Sequence, residues 1–157
     1  MIEVVQAPSK AKHKGIKLFI AGGISNCPKW QDQLVEKLSN EPKLLKFKKK
    51  NIVIFNPRCN EIPEEEPQIK WEFKRLKKSD IVSFWFSEGS LNPITLFEYG
   101  SHFKSKDKKI IVGCHPDYER RTNVITQTKL ENPKLKVNEN FDDFYDEIVK
   151  ILVKKLK

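Results

Sequence analysis

One glutamate in the sequence has the surroundings of a reacting group. Glu98 lies in 92-NPITLFEYGSHF-103, about one and a half turns into a helix that Pro93 is expected to open. A position near the positive end of a helix dipole favours the ionised carboxylate, which is the form that a nucleophile needs. Ile94 and Phe97 leave this helix little polar face, so we expect much of it to be buried and Glu98 to have a function there. A surface glutamate is the alternative.

A second carboxylate, Glu72, lies in 69-IKWEFKRLKKSDI-81, on the predicted helix that leads into the third strand. The ordinary interpretation is an exposed glutamate paired with a base three or four residues away, such as Arg75. His115, after the fourth strand, has the chemistry of a general base. A lone histidine there is more often a loop residue with a satisfied hydrogen bond.

Two glycines follow the first predicted strand, in 22-GGISNCPKW-30. Glycine lets a backbone approach a ligand closely and leave its N–H groups pointing into a cleft. The segment has neither the GxGxxG spacing of a dinucleotide fold nor the GxxxxGK of a P-loop, so neither NAD nor ATP binding follows. A tight strand-to-helix turn with Ser25 or Asn26 near the helix cap is an equal alternative.

Apolar runs bounded by Gly, Pro or Asn alternate with segments of helical period, which is the pattern of a layered α/β domain. Strands are expected at 16–21, 51–56, 80–86 and 109–114, with a short fifth strand at 134–137. Helices are expected at 28–40, 67–78, 93–104, 122–132 and 141–157, three of them with proline in the first turn. This order predicts a flavodoxin-like, doubly wound sheet of five parallel strands in three α/β/α layers, with ligands at the carboxyl ends of the strands.

The chain of 157 residues has the size of one domain. Residues 1–15 are interpreted as a flexible N-terminal arm and residues 16–157 as the domain itself. The loop at 57–67, rich in Pro and Glu, is expected to be a lid or rim. The sequence contains neither a bilayer-spanning apolar run nor the apolar core of a signal peptide, so we expect a cytoplasmic protein with no membrane partner.

The composition is basic, with 30 Lys and Arg against 21 Asp and Glu and a formal charge of +9. The charge is mostly lysine and is dispersed, without the interleaved arginine and aromatic residues that base stacking uses. It therefore indicates a solvated surface rather than a nucleic-acid interface. Cys27, Cys59 and Cys114 are odd in number and widely separated, so neither a disulfide framework nor a cysteine metal site is expected.

Several segments of the predicted core carry a family resemblance in combination, although none does so alone. They are 18-LFIAGGISNCPKWQ-31, 54-IFNPR-58, 70-KWEFKRLKKSDIVSFWF-86, 90-SLNPITLFEYG-100, 112-VGCHPDY-118 and 123-NVITQT-128. Together they resemble the nucleoside 2-deoxyribosyltransferase family, most of all its 2-deoxyribosyltransferase-like branch.

The resemblance implies roles for both carboxylates. In that family a glutamate in an E-[LIY]-G segment is the nucleophile, and 98-EYG-100 places Glu98 there. Its carboxylate would attack the anomeric carbon and hold a covalent deoxyribosyl ester, as in retaining glycosidases. Glu72 occupies the acidic position of the family before the third strand. It would contact the sugar or act as a general acid at the departing base, helped by a raised pKa.

The resemblance also implies the remaining contacts. Asn92 matches a polar position for the sugar 5′ end, and Asn123 matches a polar residue that reaches into the site of a neighbouring subunit. A homo-oligomer, at least a dimer, is therefore implied. Phe19 stands where relatives commonly have a tyrosine that orients the nucleophile, so that hydroxyl is missing. The residues that should face the sugar are Gly22, Gly23 and Ser25.

The implied activity is the exchange of bases between 2′-deoxynucleosides and free nucleobases, without metal or cofactor. Hydrolysis of the same N-glycosidic bond is an alternative, including that of 2′-deoxynucleoside 5′-monophosphates. The monophosphate branch tends to have arginine in its first loop, and 22-GGISNCP-28 has none. A non-catalytic module that binds nucleotides or nucleic acid is the other alternative, because fold does not settle function.

Overall fold

The computed structural model describes residues 1–9, 13–58 and 65–157. Within these ranges the chain forms one sheet of six strands and six helices. The strands are β1 (Ile2–Gln6), β2 (Ile16–Gly22), β3 (Ile52–Asn56), β4 (Ile81–Phe86), β5 (Lys109–Cys114) and β6 (Val137–Asn138). The helices are α1 (Trp30–Ser39), α2 (Pro42–Leu45), α3 (Glu65–Lys78), α4 (Pro93–His102), α5 (Arg121–Glu131) and α6 (Phe141–Leu156).

The strands lie in the order β1-β3-β2-β4-β5-β6, and every neighbouring pair is parallel. The chain passes from β2 to β3 on one side, and α3 then carries it back across β2 to β4 on the other side. The strand order therefore reverses at β2. The connections that leave the carboxyl ends of β2 and β4 run to opposite sides, and open α/β sheets have their ligand-binding crevice at such a point.

Helices cover both faces of the sheet. Phe55 and Phe84 pack in a cluster that includes Trp71 of α3 and Tyr99 of α4. On the opposite face, the cluster that includes Ile54 is formed with α1, α2 and α6. Because neither face meets solvent, β3 and β4 are buried along their whole length. This explains why their sequences are continuously apolar rather than alternating.

The prediction of five strands is wrong, because β1 adds a sixth strand within the segment that was interpreted as a flexible arm. β1 pairs in parallel with β3, from Ile2 opposite Ile52 to Gln6 opposite Asn56. Val5 is its only buried residue. An edge strand that buries so little lacks the long apolar run by which the central strands are recognised in the sequence.

The five predicted helices are present, with differences at their ends. Pro93 opens α4 as predicted, but Pro28 lies before α1, which begins at Trp30. The four-residue helix α2 was not predicted. Part of the predicted lid, residues 59–64, lies outside the described residues, and Cys59 with it. In the described ranges, no helix combines the length and apolar character needed to cross a bilayer.

Candidate active site

A cavity of about 530 Å³ opens at the carboxyl ends of β2 and β4. Its walls come from the loop after β2, the loop that leads into α4, and one face each of α3 and α4. Six of the seven residues predicted to be catalytic or substrate-binding line it, namely Gly22, Gly23, Ser25, Glu72, Asn92 and Glu98. The fold therefore brings together side chains that are up to 76 positions apart, from Gly22 to Glu98.

Helix α4 presents Glu98 to the cavity because an adjacent side of the helix is anchored in the core. Tyr99 is buried and packs edge-on against Phe84 and Phe86, with ring centroids 5.2 and 5.4 Å away. The Tyr99 hydroxyl lies 2.7 Å from Thr128 Oγ1 of α5. These contacts fix the rotation of the helix. Because adjacent residues on a helix point about 100° apart, the burial of Tyr99 leaves Glu98 facing the cavity.

The environment of Glu98 favours its protonated form. Burial, together with the nearby Glu72 carboxylate, raises the pKa of Glu98 from 4.5 to about 8. The expectation of an ionised carboxylate at the helix start is therefore wrong for the free protein. Desolvation and a like charge outweigh a helix dipole, which is worth only about 1 kcal/mol and weakens beyond the first turn.

Glu72 of α3 faces the same cavity and is held in place by a neighbour one turn earlier. Gln68 Nε2 donates to Glu72 Oε1 at 2.8 Å and lies 3.4 Å from the Pro57 carbonyl oxygen. Burial raises the pKa of Glu72, and the Gln68 hydrogen bond opposes that rise. Glu72 is thus a half-buried carboxylate rather than an exposed one. Gln68 was not singled out in the sequence, although its spacing to Glu72 is that of a helical side-chain pair.

The glycine loop lies against the α4 loop too closely for any side chain at position 23. A Cβ on Gly23 would lie 1.6 Å from Asn92 Oδ1 and 2.5 Å from Cys27 Sγ. The Gly23 carbonyl accepts hydrogen bonds from Trp30 Nε1 and Gln31 Nε2, both at 3.1 Å. The close approach predicted for these glycines is therefore made with the protein itself.

Arg58, which follows β3, supports the same loop from outside the cavity. Its guanidinium donates to the carbonyl oxygens of Ile24 and Pro28, both at 3.2 Å, and its Nε donates to Gln31 Oε1 at 3.1 Å. The loop itself contains no arginine. The tertiary structure nevertheless brings a guanidinium against it from the segment that follows β3.

Asn92 has left-handed backbone geometry, with φ 50°, and is 3% exposed. Its Nδ2 donates to the carbonyl oxygens of Ser87 and Ser90 at 3.0 and 2.8 Å. Cys27 Sγ donates to its Oδ1 at 3.4 Å. Both amide hydrogens thus hold the loop that leads into α4, and a substrate hydroxyl would meet only Oδ1.

Two candidates of the sequence lie away from the cavity. Asn123 is exposed on α5 and is not among the lining residues. His115 accepts from the backbone N–H of Asp117 at 3.1 Å through Nδ1, and the same atom lies 3.6 Å from Glu88 Oε2. It is therefore a loop histidine with a satisfied hydrogen bond, as expected. Among the described residues, no group of three or more His, Cys, Asp or Glu side chains is placed to hold a metal ion.

The fold and the cavity together define a parallel α/β protein with two carboxylates at the carboxyl edge of its sheet. A family model described as nucleoside 2-deoxyribosyltransferase like matches residues 15–118, which contain the whole lining of the cavity. The chain belongs to this nucleoside 2-deoxyribosyltransferase-like family. No curated protein matches the chain.

Proposed function

We propose that the protein is an N-glycosyl transferase that exchanges the base of 2′-deoxynucleosides through a covalent deoxyribosyl ester on Glu98. The observation that carries the proposal is the placement of Glu98 and Glu72 on one cavity, in a chain of this family. A half-buried carboxylate pair supplies both a nucleophile and a proton donor to one glycosidic bond. The proposed substrates are 2′-deoxynucleosides and free nucleobases.

In the first step, an oxygen of ionised Glu98 attacks C1′ of the deoxyribose as the N-glycosidic bond breaks. The bonding electrons leave with the base, and Glu72 donates the proton that neutralises the departing nitrogen. In the second step, a nitrogen of the incoming base attacks C1′ and passes its proton to Glu72. The ester bond breaks and Glu98 regains its carboxylate, so neither metal nor cofactor is needed.

This mechanism needs one proton on the pair, and the electrostatics support that state. Both carboxyl groups have raised pKa values, and the charge of Glu72 contributes to the rise at Glu98. Two carboxyl groups whose charges interact in this way lose their protons in separate steps, and the two pKa values belong to the pair. The reactive arrangement has the charge on Glu98 and the proton on Glu72, and substrate must favour it over the reverse arrangement.

The residues proposed to face the sugar are Gly22, Gly23 and Ser25, and Asn92 is proposed to offer its Oδ1 to the 5′ end.

Exclusion of water decides between transfer and hydrolysis, because an ester that water does not reach persists until a base attacks it. Ile69 of α3 and Ile94 of α4 line the cavity and are 55% and 65% exposed in a single chain. Phe73 and Phe97 follow them at helical spacing and are 57% and 76% exposed, and we call these four side chains the apolar rim.

We propose that a second copy of the chain covers the apolar rim, so that the working form is at least a dimer. Solvent exposure of four large apolar side chains is typical of an interaction surface. Asn123 would then reach the site of the neighbouring subunit.

The described cysteines, Cys27 and Cys114, are free thiols, which fits a reducing compartment, and we propose the cytoplasm. The fold is proposed to be flavodoxin-like, since β3-β2-β4-β5-β6 repeats the order of such sheets.

Hydrolysis is the second candidate, because the cavity is open to water along the apolar rim in a single chain. Hydrolysis of 2′-deoxynucleoside 5′-monophosphates is part of that candidate, although Arg58 donates to backbone carbonyl oxygens of the glycine loop and does not line the cavity. The non-catalytic module has less support, because such a module has no use for two half-buried carboxyl groups with raised pKa values.

The test is incubation of the pure protein with deoxyinosine, with and without free adenine, and chromatography of the products. Deoxyadenosine that forms in the wild type and not in Glu98→Ala supports exchange through Glu98. The matched control is Glu66→Gln, since Glu66 is an exposed glutamate of α3 that pairs with Lys70. Hypoxanthine released without exchange assigns the protein to the hydrolases. No reaction with deoxynucleosides or their 5′-monophosphates would refute both enzymatic functions.

A further inference from the structure

The N-terminal segment of residues 1–9 lies outside the match to the family model but is built into the fold. β1 continues into Ala7, which is 6% exposed and whose N–H donates to the Asn56 carbonyl oxygen at 3.4 Å. The backbone then turns, with the N–H of Ser9 bonded to the Gln6 carbonyl oxygen at 3.0 Å. This turn aims the Ser9 carbonyl group at α3.

The Ser9 carbonyl oxygen accepts two side-chain hydrogen bonds from α3. Trp71 Nε1 donates at 2.8 Å and an amino nitrogen of the Arg75 guanidinium donates at 2.9 Å. The two donors are one helical turn apart, so they bind from the same side of the helix. Glu72 follows Trp71 directly, and its direction around the helix axis is therefore tied to the direction of the indole.

Helix α3 packs on the core through few buried side chains. Of its 14 residues only Trp71 and Leu76 are buried. The Trp71 ring packs against Phe19 and Phe55 at centroid distances of 6.2 and 6.1 Å. Aromatic packing alone tolerates small rotations of a helix, whereas a hydrogen bond from the indole to a fixed carbonyl does not, because hydrogen-bond strength falls steeply with angle.

We propose that residues 1–9 are a positioning element of the candidate active site, in which β1 holds the Ser9 carbonyl group so that α3 directs Glu72 into the cavity. The expected effect on the rate of base exchange rests on the proposed function, whereas the orientation of Glu72 by residues 1–9 does not. β1 anchors the carbonyl to β3, the carbonyl orients Trp71 and Arg75, and α3 transmits that orientation to Glu72. Residues 1–9 then act on the reaction without touching the substrate.

Two changes in the full-length protein test this positioning role. Trp71→Phe removes the Nε1 donor and keeps an aromatic ring in the core. Insertion of two glycines between Pro8 and Ser9 displaces the carbonyl group and leaves every residue of α3 unchanged. The control is Tyr145→Phe, which removes hydroxyl hydrogen bonds to Glu41 Oε2 at 2.6 Å and to the Lys37 carbonyl oxygen at 3.3 Å on the opposite face of the sheet.

We expect both changes to lower kcat for base exchange by about ten- to a hundredfold with little change in KM, since a small misplacement of a reacting group has effects of this size. A second measurement does not depend on activity. The pKa of the Glu72 carboxyl group is followed by carbon NMR, with its signal assigned by its absence from Glu72→Gln. As water reaches the carboxyl group, this pKa should fall towards its ordinary value of 4.5.

Tyr145→Phe should lower the melting temperature and leave both kcat and the pKa of Glu72 unchanged. The inference is overturned if Trp71→Phe and the two-glycine insertion leave the pKa of Glu72 as it is in the wild type, whatever the activity. It is also overturned if they affect kcat no more than Tyr145→Phe does. A wild type without exchange activity would refute the proposed function, and the carboxyl titration would still decide the positioning role.

Discussion

Glu98 on α4 and Glu72 on α3 face one cavity from two helices, and the charge of Glu72 is one of the two causes that raise the pKa of Glu98 to about 8. The larger cause is burial. The pair therefore retains a proton at neutral pH, at a cost in folding free energy. Predictions about stability and about rate both follow from this relationship.

The first prediction concerns stability. The unfolded chain releases the Glu98 proton near pH 4.5 and the folded protein near pH 8. Between these values the unfolded chain binds fewer protons, so the free energy of unfolding should fall as pH rises. Glu98→Gln removes this loss and should be more stable than the wild type by up to about 4 kcal/mol at pH 8, given about 1.4 kcal/mol for each pKa unit. Urea denaturation at pH 4, 6 and 8 measures the difference.

At pH 4 the stability of Glu98→Gln and of the wild type should agree, because Glu98 is protonated in both the folded and the unfolded chain. Glu66→Gln provides the comparison for loss of an exposed carboxylate. A wild type that is as stable as Glu98→Gln at pH 8 would show that Glu98 ionises normally.

The second prediction concerns the pH dependence of exchange. With one proton needed on the pair, kcat/KM should follow a bell-shaped curve whose alkaline limb lies near pH 8, where the last proton leaves. Glu72→Gln should lower kcat by about 10² to 10⁴, the usual contribution of a general acid. It should also abolish the alkaline limb, because the amide does not titrate. Initial rates between pH 5 and 9 test both statements.

A leaving base that needs less protonation should reduce the defect of Glu72→Gln. Deoxyribosyl 5-fluorouracil has a more acidic departing N–H than thymidine, so the variant should lose less rate with it. Equal losses with both substrates would argue that Glu72 contacts the sugar instead of donating a proton.

The third prediction concerns the close approach of the two loops. Gly23→Ala puts a Cβ within 1.6 Å of Asn92 Oδ1. Asn92 must then move, and with it the loop that it holds, so we expect a loss of about 1 to 3 kcal/mol, typical of overpacking. Ser25→Ala, at an exposed position of the same loop, should change stability by less than about 0.5 kcal/mol. Denaturant midpoints of the two variants decide the matter.

The fourth prediction concerns the apolar rim. The wild type should sediment as a dimer or larger oligomer, and Phe97→Asp should dissociate it, because a carboxylate would be buried without a partner. Leu45→Asp is the matched control, since Leu45 is 55% exposed on α2, away from the rim. Sedimentation velocity over a range of concentrations measures the assembly. A monomeric wild type would refute the proposed covering of the rim.

The interior strands and their helices were predictable because burial on both faces leaves continuous apolar runs between turn residues. β1 was not, because it is an edge strand in which Val5 alone is buried. The exposed side chains of Ile94 and Phe97 also differ from the burial expected of α4. An apolar residue in the sequence does not reveal whether its own core or another surface covers it.

Residue types and local spacing determined much of the candidate site. They indicated Glu98, the glycines after β2 and the carboxyl ends of the strands as parts of a site, because turn chemistry and parallel-sheet geometry act over short stretches of chain. The protonation of Glu98 was decided only by the tertiary structure. Desolvation and the charge of Glu72 depend on distances through space between helices, and no local pattern records those distances. The same holds for the Ser9 carbonyl group and Trp71, which are 62 positions apart and become neighbours only when β1 joins the sheet.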